Sequence, residues 1–560
     1  MKKLPIGRSD FRQIRLEDNY YIDKSLFIEE LMSGGAQAYL FPRPRRFGKT
    51  LNMSMLYYFF DIDHAEENKD LFKGLAIENS PAWAHQGKYP VIFLTFKELK
   101  QRSFDDMLEA LQEQLGQYLK KNFSYLLSSD ELDEFDKAYL KKIILGEGRK
   151  VQLQQFLQSI TEFLHRHHGI APIILIDEYD APIHASYEND YLAEMLDFMR
   201  NFLSAGFKDN EHLTKGVITG ILRVAKENIF SGLNNIATFS ILDEQFSSQF
   251  GLTEMEVSKV LNDTGFSGDR SQVDDWYNGY TFGKVARIYN PWSILNFIFR
   301  DGELSPYWVN TSSNELIQRI LPKADKVTQT LLFDLLEGKS VETSIDEFTV
   351  FEDLYKGKAS TVFGLLLFSG YLTTAGKVQK EEERLYHLQI PNKEIKSMYK
   401  QTLKRYLKAS DQVSDNTLLE ALLNQQYKTF ADALQRYLLN SFSFFDIGKN
   451  GDSPEKVYHA FMLGLMAHLS GDYHVKSNRE TGFGRSDLMI CPKDPNDPKA
   501  WILEFKKKNL DTKGTLEELA QNALDQIKEK QYVHDLQEAG HTEIFAMGIA
   551  FDGKKVACAF

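Results

Sequence analysis

Ten consecutive residues, Phe41-Pro42-Arg43-Pro44-Arg45-Arg46-Phe47-Gly48-Lys49-Thr50, have the types and spacing for phosphate chemistry. The apolar run Ala38-Tyr39-Leu40-Phe41 leads into them, and helical spacing at Leu51, Met55 and Tyr58 follows. Strand, loop, Gly-Lys-Thr and helix is the order in which backbone N–H groups at a helix N-terminus turn toward phosphates. In that arrangement Gly48, Lys49 and Thr50 line the site, with Lys49 on the β- and γ-phosphates and the Thr50 hydroxyl on Mg²⁺. The pattern G-x-x-x-x-G-K-[ST] asks for glycine where this chain has Arg43, and Pro42 and Pro44 each remove an N–H donor. Charge-assisted contacts from Arg43, Arg45 and Arg46 are the expected replacement. The plainer alternative is a basic loop capped by an ordinary helix.

A second constellation fits the first. Pro172-Ile173-Ile174-Leu175-Ile176 ends in Asp177-Glu178, an acidic pair at the carboxyl end of a buried strand. Asp177 would position Mg²⁺, and Glu178 would orient or deprotonate an attacking water. Thr219, closing the next strand, is a candidate sensor of the γ-phosphate, and Arg223 a candidate for stabilising transition-state charge. The competing roles are a strand hydroxyl and a surface cation.

A third set lies near the carboxyl terminus. Gly484-Arg485-Ser486-Asp487 opens one strand, and Ile502-Leu503-Glu504-Phe505-Lys506 lies on the next. Period-two alternation puts Glu504 and Lys506 on one face and Trp501, Leu503 and Phe505 on the other. If the strands pair as a hairpin, Asp487 joins Glu504 and Lys506, and the two carboxylates suit Mg²⁺ or Mn²⁺. Such a metal would polarise a scissile phosphate while Lys506 held or activated water. Taken alone, Glu-x-Lys is ordinarily a solvated strand face. Glu455 and Glu480 are further carboxylate candidates.

The elements that must position these groups follow from the apolar patterning. Strand candidates at 38–41, 89–96, 172–176, 216–221 and 237–242 alternate with helical spacing at 104–119 and 151–166. That alternation predicts an α/β domain with a mostly parallel sheet over residues 1–250. From 251 to 447 helices and aromatic loops dominate, among them Trp276-Tyr277-Asn278-Gly279-Tyr280 and Tyr307-Trp308, whose rings are expected in the core rather than stacked on bases. The polar stretch Gly448–Pro454 reads as a linker. Residues 448–560 then form a compact α+β or α/β unit.

Composition narrows the classes. The 560 residues allow two to four domains, and Lys plus Arg at 66 against Asp plus Glu at 79 gives a net charge of −13. That balance argues against a surface that coats nucleic acid along its whole length, but not against a local basic channel. Cys491 and Cys558 provide no disulfide framework, which favours a reducing, cytoplasmic setting. No apolar run reaches membrane-spanning length.

Taken together, Leu4-Pro5-Ile6-Gly7, Tyr21-Ile22-Asp23-Lys24, Arg43 through Thr50, Asp177-Glu178-Tyr179-Asp180, Thr219 through Arg223 and Phe230-Ser231-Gly232-Leu233-Asn234-Asn235 resemble the bacterial and archaeal AAA-ATPase-like proteins that carry a C-terminal PD-(D/E)XK nuclease domain. Asp487, Glu504 and Lys506 match that domain's Asp…Glu-x-Lys arrangement, and Gln526 and Tyr532 are similar to its helix motif. The resemblance implies a P-loop ATPase core with a parallel sheet, a helical middle and a restriction-endonuclease-like α/β domain. It also implies ATP and Mg²⁺ as cofactors, with Mn²⁺ as an option at the nuclease site. Nucleic acid, DNA ahead of RNA, is the expected partner, and no membrane is expected; a homo-oligomer stays open. The leading expectation is an ATPase coupled to phosphodiester cleavage. Its alternative is a nucleotide-dependent switch whose terminal domain binds nucleic acid or protein without cutting.

Overall fold

The computed structural model describes residues 2–222, 235–309, 328, 331–332, 334–335, 338–347, 358–380, 383–399, 415–441, 458, 462, 465–466, 472–481, 484–508, 514–529, 533–553 and 555–560. The chain divides into two compact units. One comprises Met1–Ser312, Thr343–Tyr355 and Ser360–Glu394; the other comprises Ser313–Glu342, Lys356–Ala359 and Ile395–Phe560. The expected linker at 448–454, together with Arg223, Glu455, Tyr532 and the 230–234 part of the Phe230–Asn235 motif, lies outside the described residues. Among the described residues no helix is long and apolar enough to cross a membrane.

The first unit is built on five strands: β1 (Ala38–Pro42), β2 (Val91–Thr95), β3 (Ile173–Asp177), β4 (Lys215–Gly220) and β5 (Ile236–Thr238). They pair in the order β2-β3-β4-β1-β5, every pair parallel. Each residue of β1 and β3 is buried, as expected of strands whose two faces are both covered by helices. The order sets β4 between the phosphate-loop strand β1 and the acidic strand β3. The carboxyl ends of all three therefore lie side by side, where parallel sheets bind ligands.

Local chemistry sets the boundaries. Ser103 caps the helix Phe104–Asn122 by accepting from the Asp106 N–H. The helical stretch expected over 151–166 is instead two helices, Lys150–Gln154 and Phe156–His168. Strand β5 stops at Thr238 because Asp243 accepts from the Ser240 N–H and hydroxyl, at 2.7 and 2.9 Å, and turns the chain. Beyond it the same unit contains the helices Glu254–Asp263, Arg270–Tyr277 and Pro291–Phe299 and the hairpins 280–288 and 373–389. The first hairpin turns at Gly283, whose φ is +55° and whose added Cβ would lie 2.4 Å from the Asp243 carbonyl oxygen. Tyr277, Tyr280, Tyr289 and Trp308 are all buried, so these rings are core.

One buried carboxylate ties this segment together. Glu394 is 1% exposed and accepts from the Ser293 hydroxyl at 2.8 Å and from the Trp308 N–H at 2.6 Å. Burial pushes its carboxyl up to about 7, against the pull of those hydrogen bonds.

The second unit holds a five-stranded sheet in the order Tyr473–Thr481, Gly484–Pro492, Lys499–Lys507, Glu543–Asp552, Lys555–Ala559. All pairs are antiparallel except Lys499–Lys507 with Glu543–Asp552. Each face has its own core. Leu488, Trp501, Leu503, Phe505 and Phe551 pack with Leu418, Leu434 and Tyr458, whereas Met489, Ala500 and Ile502 pack with Leu524 and Ile527 of the helix Leu516–Glu529. That helix comes so close at Gly548 that an added Cβ would stand 2.1 Å from the Ala520 carbonyl oxygen and 2.4 Å from the Leu524 nitrogen.

Two outcomes follow from this packing. Gly548→Ala meets backbone on both sides, so it should destabilise the second unit by about 2–3 kcal/mol in urea unfolding. In the window from pH 4.5 to 7 the folded chain keeps a proton on Glu394 that the unfolded chain has released, so this residue's contribution is full below pH 4.5 and lost as pH rises to 7. Glu394→Gln should remove that slope, worth about 3 kcal/mol across the window, in unfolding followed as a function of pH.

Candidate functional site

The helix Lys49–Phe60 opens directly after the phosphate loop, with Gly48 at its cap in the left-handed region (φ +88°). Space is not what requires glycine there, since an added Cβ would meet nothing within 4 Å; the backbone angle is. Arg46, two residues earlier, also has positive φ, +66°. Left-handed residues alternating with others turn successive N–H groups to one side, which is the geometry of an anion nest.

Within this turn the two motif side chains, Lys49 and Thr50, point to different places. The Thr50 hydroxyl donates to Asp177 Oδ2 at 2.7 Å, and the Thr219 hydroxyl donates to Asp177 Oδ1 at 2.5 Å. Both oxygens of a carboxylate 1% exposed are thereby held by hydroxyls from β4 and the loop helix. Thr219 thus orients Asp177, and it would reach a γ-phosphate only by exchanging that bond. Lys49 is buried, and its ammonium donates to the carbonyls of Arg43 and Pro44, each at 2.9 Å. Burial lowers its pKa while Asp177 and Glu178 pull it back up.

Glu178 follows at φ +54°, a strained angle for a side-chain-bearing residue. Burial, and then the charge of Asp177, raise its pKa. Asp180 holds the same turn from beneath: its Oδ2 accepts from the N–H groups of Ile221 and Leu222 at 2.8 and 2.9 Å. Burial opposes its ionisation, yet His184 and these N–H groups keep its pKa below the usual carboxylate value. The acidic turn after β3 is therefore tied to the chain leaving β4. A short acidic residue three positions beyond Asp177 was a readable signal for such a tie.

The arginines of the loop part company. Arg45 and Arg46 are exposed, and the Arg46 guanidinium lies 4.3 Å over the Trp292 ring. Arg43 is fully buried and is directed into the protein. Its guanidinium donates to the carbonyls of Pro42, Phe239 and Phe246 at 3.0, 2.6 and 3.5 Å, and stands 4.9 and 5.6 Å over Phe250 and Phe282. Burial brings its pKa down to about 9. The expectation that Arg43 replaces lost phosphate donors is therefore corrected: its two terminal nitrogens are bound to carbonyls of the fold, and its Nε is buried without a partner among the described residues. Nothing local in the sequence distinguishes Arg43 from its exposed neighbours, because the Phe239 and Phe246 acceptors lie 196 and 203 residues away.

In the second unit the hairpin forms. Leu488, Met489 and Ile490 pair antiparallel with Leu503, Ile502 and Trp501, which carries Asp487 opposite Glu504. The Asp487 N–H donates to Glu504 Oε2 at 3.3 Å, and Asp487 Oδ2 accepts from the Phe505 N–H at 2.8 Å. Glu504 is 2% exposed beneath the helix Leu516–Glu529, from which Gln526 Nε2 donates to Glu504 Oε1. Glu504 also pairs in register with Gly548, so the missing side chain there lets the helix bring Gln526 within reach. Lys506 lies two residues on from Glu504 and is partly exposed.

The donor sets suit hard divalent cations. Thr50 with Asp177 provides the one or two oxygen ligands that Mg²⁺ takes from protein when phosphates complete its shell. Asp487 and Glu504 provide two carboxylates. Among the described residues no group of three or more His, Cys, Asp or Glu gathers as a metal cage, so water and substrate oxygens would complete either shell.

Restoring the motif glycine tests the buried guanidinium. Arg43→Gly should lower stability in urea unfolding by about 3–5 kcal/mol, because it strands carbonyls and empties an aromatic box.

The family model described as a predicted AAA-ATPase matches residues 5–230, and that of the PD-(D/E)XK nuclease superfamily matches residues 453–560. A protein of Azotobacter chroococcum mcd 1, described as an uncharacterized protein in the vnfD 5′ region, is 28% identical over 563 residues, covering 98% of this chain and 96% of its own. The matched segments contain the Thr50–Asp177–Thr219 cluster and the Asp487–Glu504 pair. The chain thus carries a segment that matches predicted AAA-ATPases, followed by a carboxyl-terminal segment that matches the PD-(D/E)XK nuclease superfamily.

Proposed function

We propose that the protein binds and hydrolyses ATP and that this activity governs metal-dependent cleavage of nucleic acid by its terminal domain. What supports the reading is one observation made twice: in each matched segment, groups from separate elements converge through an acidic side chain, Asp177 in one and Asp487 with Glu504 in the other.

At the nucleotide site, Lys49 exchanges its two loop carbonyls for phosphate oxygens, and the nest at Arg46 to Gly48 gives N–H donors. Thr50 and Asp177 hold Mg²⁺, which neutralises phosphate charge when bound. Glu178 orients water and takes its proton, a task helped by a carboxylate whose proton affinity is raised. Arg45 and Arg46 lie on the exposed side of the loop, where phosphate charge is met from solvent. Arg223, next after the described end of the β4 turn, is the proposed partner for transition-state charge.

At the terminal site Asp487 and Glu504 hold a divalent cation, Mg²⁺ or Mn²⁺, which polarises the scissile phosphate when bound. Gln526 fixes the Glu504 carboxylate, and Lys506 holds the attacking water. The proposed setting is the cytoplasm, with DNA ahead of RNA as substrate; assembly into a homo-oligomer is compatible with it.

Labelled single- and double-stranded DNA and RNA, incubated with Mg²⁺ or Mn²⁺ and with or without ATP, test both halves. Cleavage by the wild-type chain should fall at least 100-fold in Asp487→Ala, and its response to ATP should vanish in Lys49→Ala, while Glu178→Gln should stop ATP turnover. ATP binding without cleavage of any substrate would favour the switch that binds without cutting. Equal turnover by wild type and Glu178→Gln would remove the ATPase assignment.

A further inference from the structure

Three successive carbonyls of the phosphate loop are captured by side-chain donors. Arg43 and Pro44 give theirs to Lys49, and Arg45 gives its own to Trp308 Nε1, at 3.1 Å and 263 residues away in sequence. The first two captures are made by a group that must leave them to meet a phosphate. The third need not change.

A peptide unit is planar and trans, so its C=O and N–H point in opposite directions. Holding the Arg45 carbonyl toward Trp308 therefore turns the Arg46 N–H the other way, and Arg46 is the residue whose left-handed φ begins the nest. Trp308 can hold it because it cannot move freely. It is 1% exposed, its ring lies 5.4 Å from that of Tyr371, and its own N–H is fixed by the buried Glu394 carboxylate at 2.6 Å. Glu394 also takes the Ser293 hydroxyl, and Ser293 adjoins Trp292, the ring beneath Arg46. Gly370 closes the arrangement at φ +85°: an added Cβ would come within 2.9 Å of Pro44 and 3.5 Å of the Trp308 ring.

We propose that Trp308 is a positioning residue for the nucleotide loop, that Glu394 anchors it, and that the pair sets phosphate affinity by presenting the Arg46 N–H. The inference rests on the nucleotide-binding reading of Lys49 and Thr50 and adds two residues that the loop motif does not include.

Full-length variants titrated with a fluorescent ATP analogue, and with tripolyphosphate as competitor, provide the test. Trp308→Phe keeps an aromatic ring and removes the donor, so it should weaken ATP and tripolyphosphate alike by about 5- to 10-fold, the worth of one hydrogen bond, at unchanged binding stoichiometry. Glu394→Gln keeps a carbonyl oxygen to accept the Trp308 N–H, while its NH2 can donate to the Ser293 hydroxyl oxygen in place of accepting from it, so it should stay within about twofold of wild type. Glu394→Ala should match Trp308→Phe, and combining them should add nothing, because both act through one contact. If Glu394→Ala fails to fold, Trp308→Phe decides alone. Unchanged affinity in Trp308→Phe, with binding still abolished by Lys49→Ala, would overturn this inference and leave the nucleotide site standing. Loss of stoichiometry without a change in affinity would also overturn it, as the mark of a purely structural role. A wild-type chain that binds neither ligand would overturn the nucleotide-binding reading itself.

Discussion

A guanidinium taken out of water must be given acceptors by the surrounding protein, and at Arg43 this requirement organises the whole nucleotide end of the first unit. Its partners are the carbonyls of Pro42, Phe239 and Phe246 and the faces of Phe250 and Phe282. They come from β1, from the chain just beyond β5, and from the segments that follow. Removing such a charge from solvent costs several kcal/mol unless the geometry is complete. The loop that begins at Arg43 is therefore locked before any ligand arrives.

That lock explains how a loop with two prolines and no first glycine keeps a phosphate-binding shape. Pro42 and Pro44 cannot donate, but they sit where β1 ends and where Gly370 and Trp308 press on the turn. The donors that matter lie later, between Arg46 and the helix N-terminus, where left-handed angles turn the backbone. Trp308, Trp292 and Phe47 hold this part from the side, with Phe47 against Tyr280 and Phe282. Preorganisation of this kind lowers the ordering cost of binding a charged ligand.

The terminal unit solves a similar problem with a different device. A carboxylate such as Glu504, at 2% exposure, is costly unless its oxygens are engaged. The Asp487 N–H of the neighbouring strand and Gln526 engage them, and the Gln526 contact depends on a helix that can lie directly on the sheet at Gly548. In both units, then, an acidic group is held by neighbours whose own placement depends on close packing.

Much of this was legible in the residues themselves. Continuous apolar runs at 38–41 and 172–176 mark strands buried on both faces, because period and length are local properties. The Gly48-Lys49-Thr50 turn and the Asp177-Glu178 strand end carry their chemistry in adjacent residues, and alternation alone separates Glu504 and Lys506 from Trp501, Leu503 and Phe505. The tertiary structure decided the rest. It set β4 between β1 and β3, so that Thr219 meets Asp177; it sent Arg43 inward while Arg45 and Arg46 stayed out; and it brought Trp308 to Arg45 and Gln526 to Glu504. Each of these depends on which other segment supplies a hydroxyl, a carbonyl, a ring or a missing Cβ, and no local pattern encodes the identity of a partner that lies on a separate element of the fold.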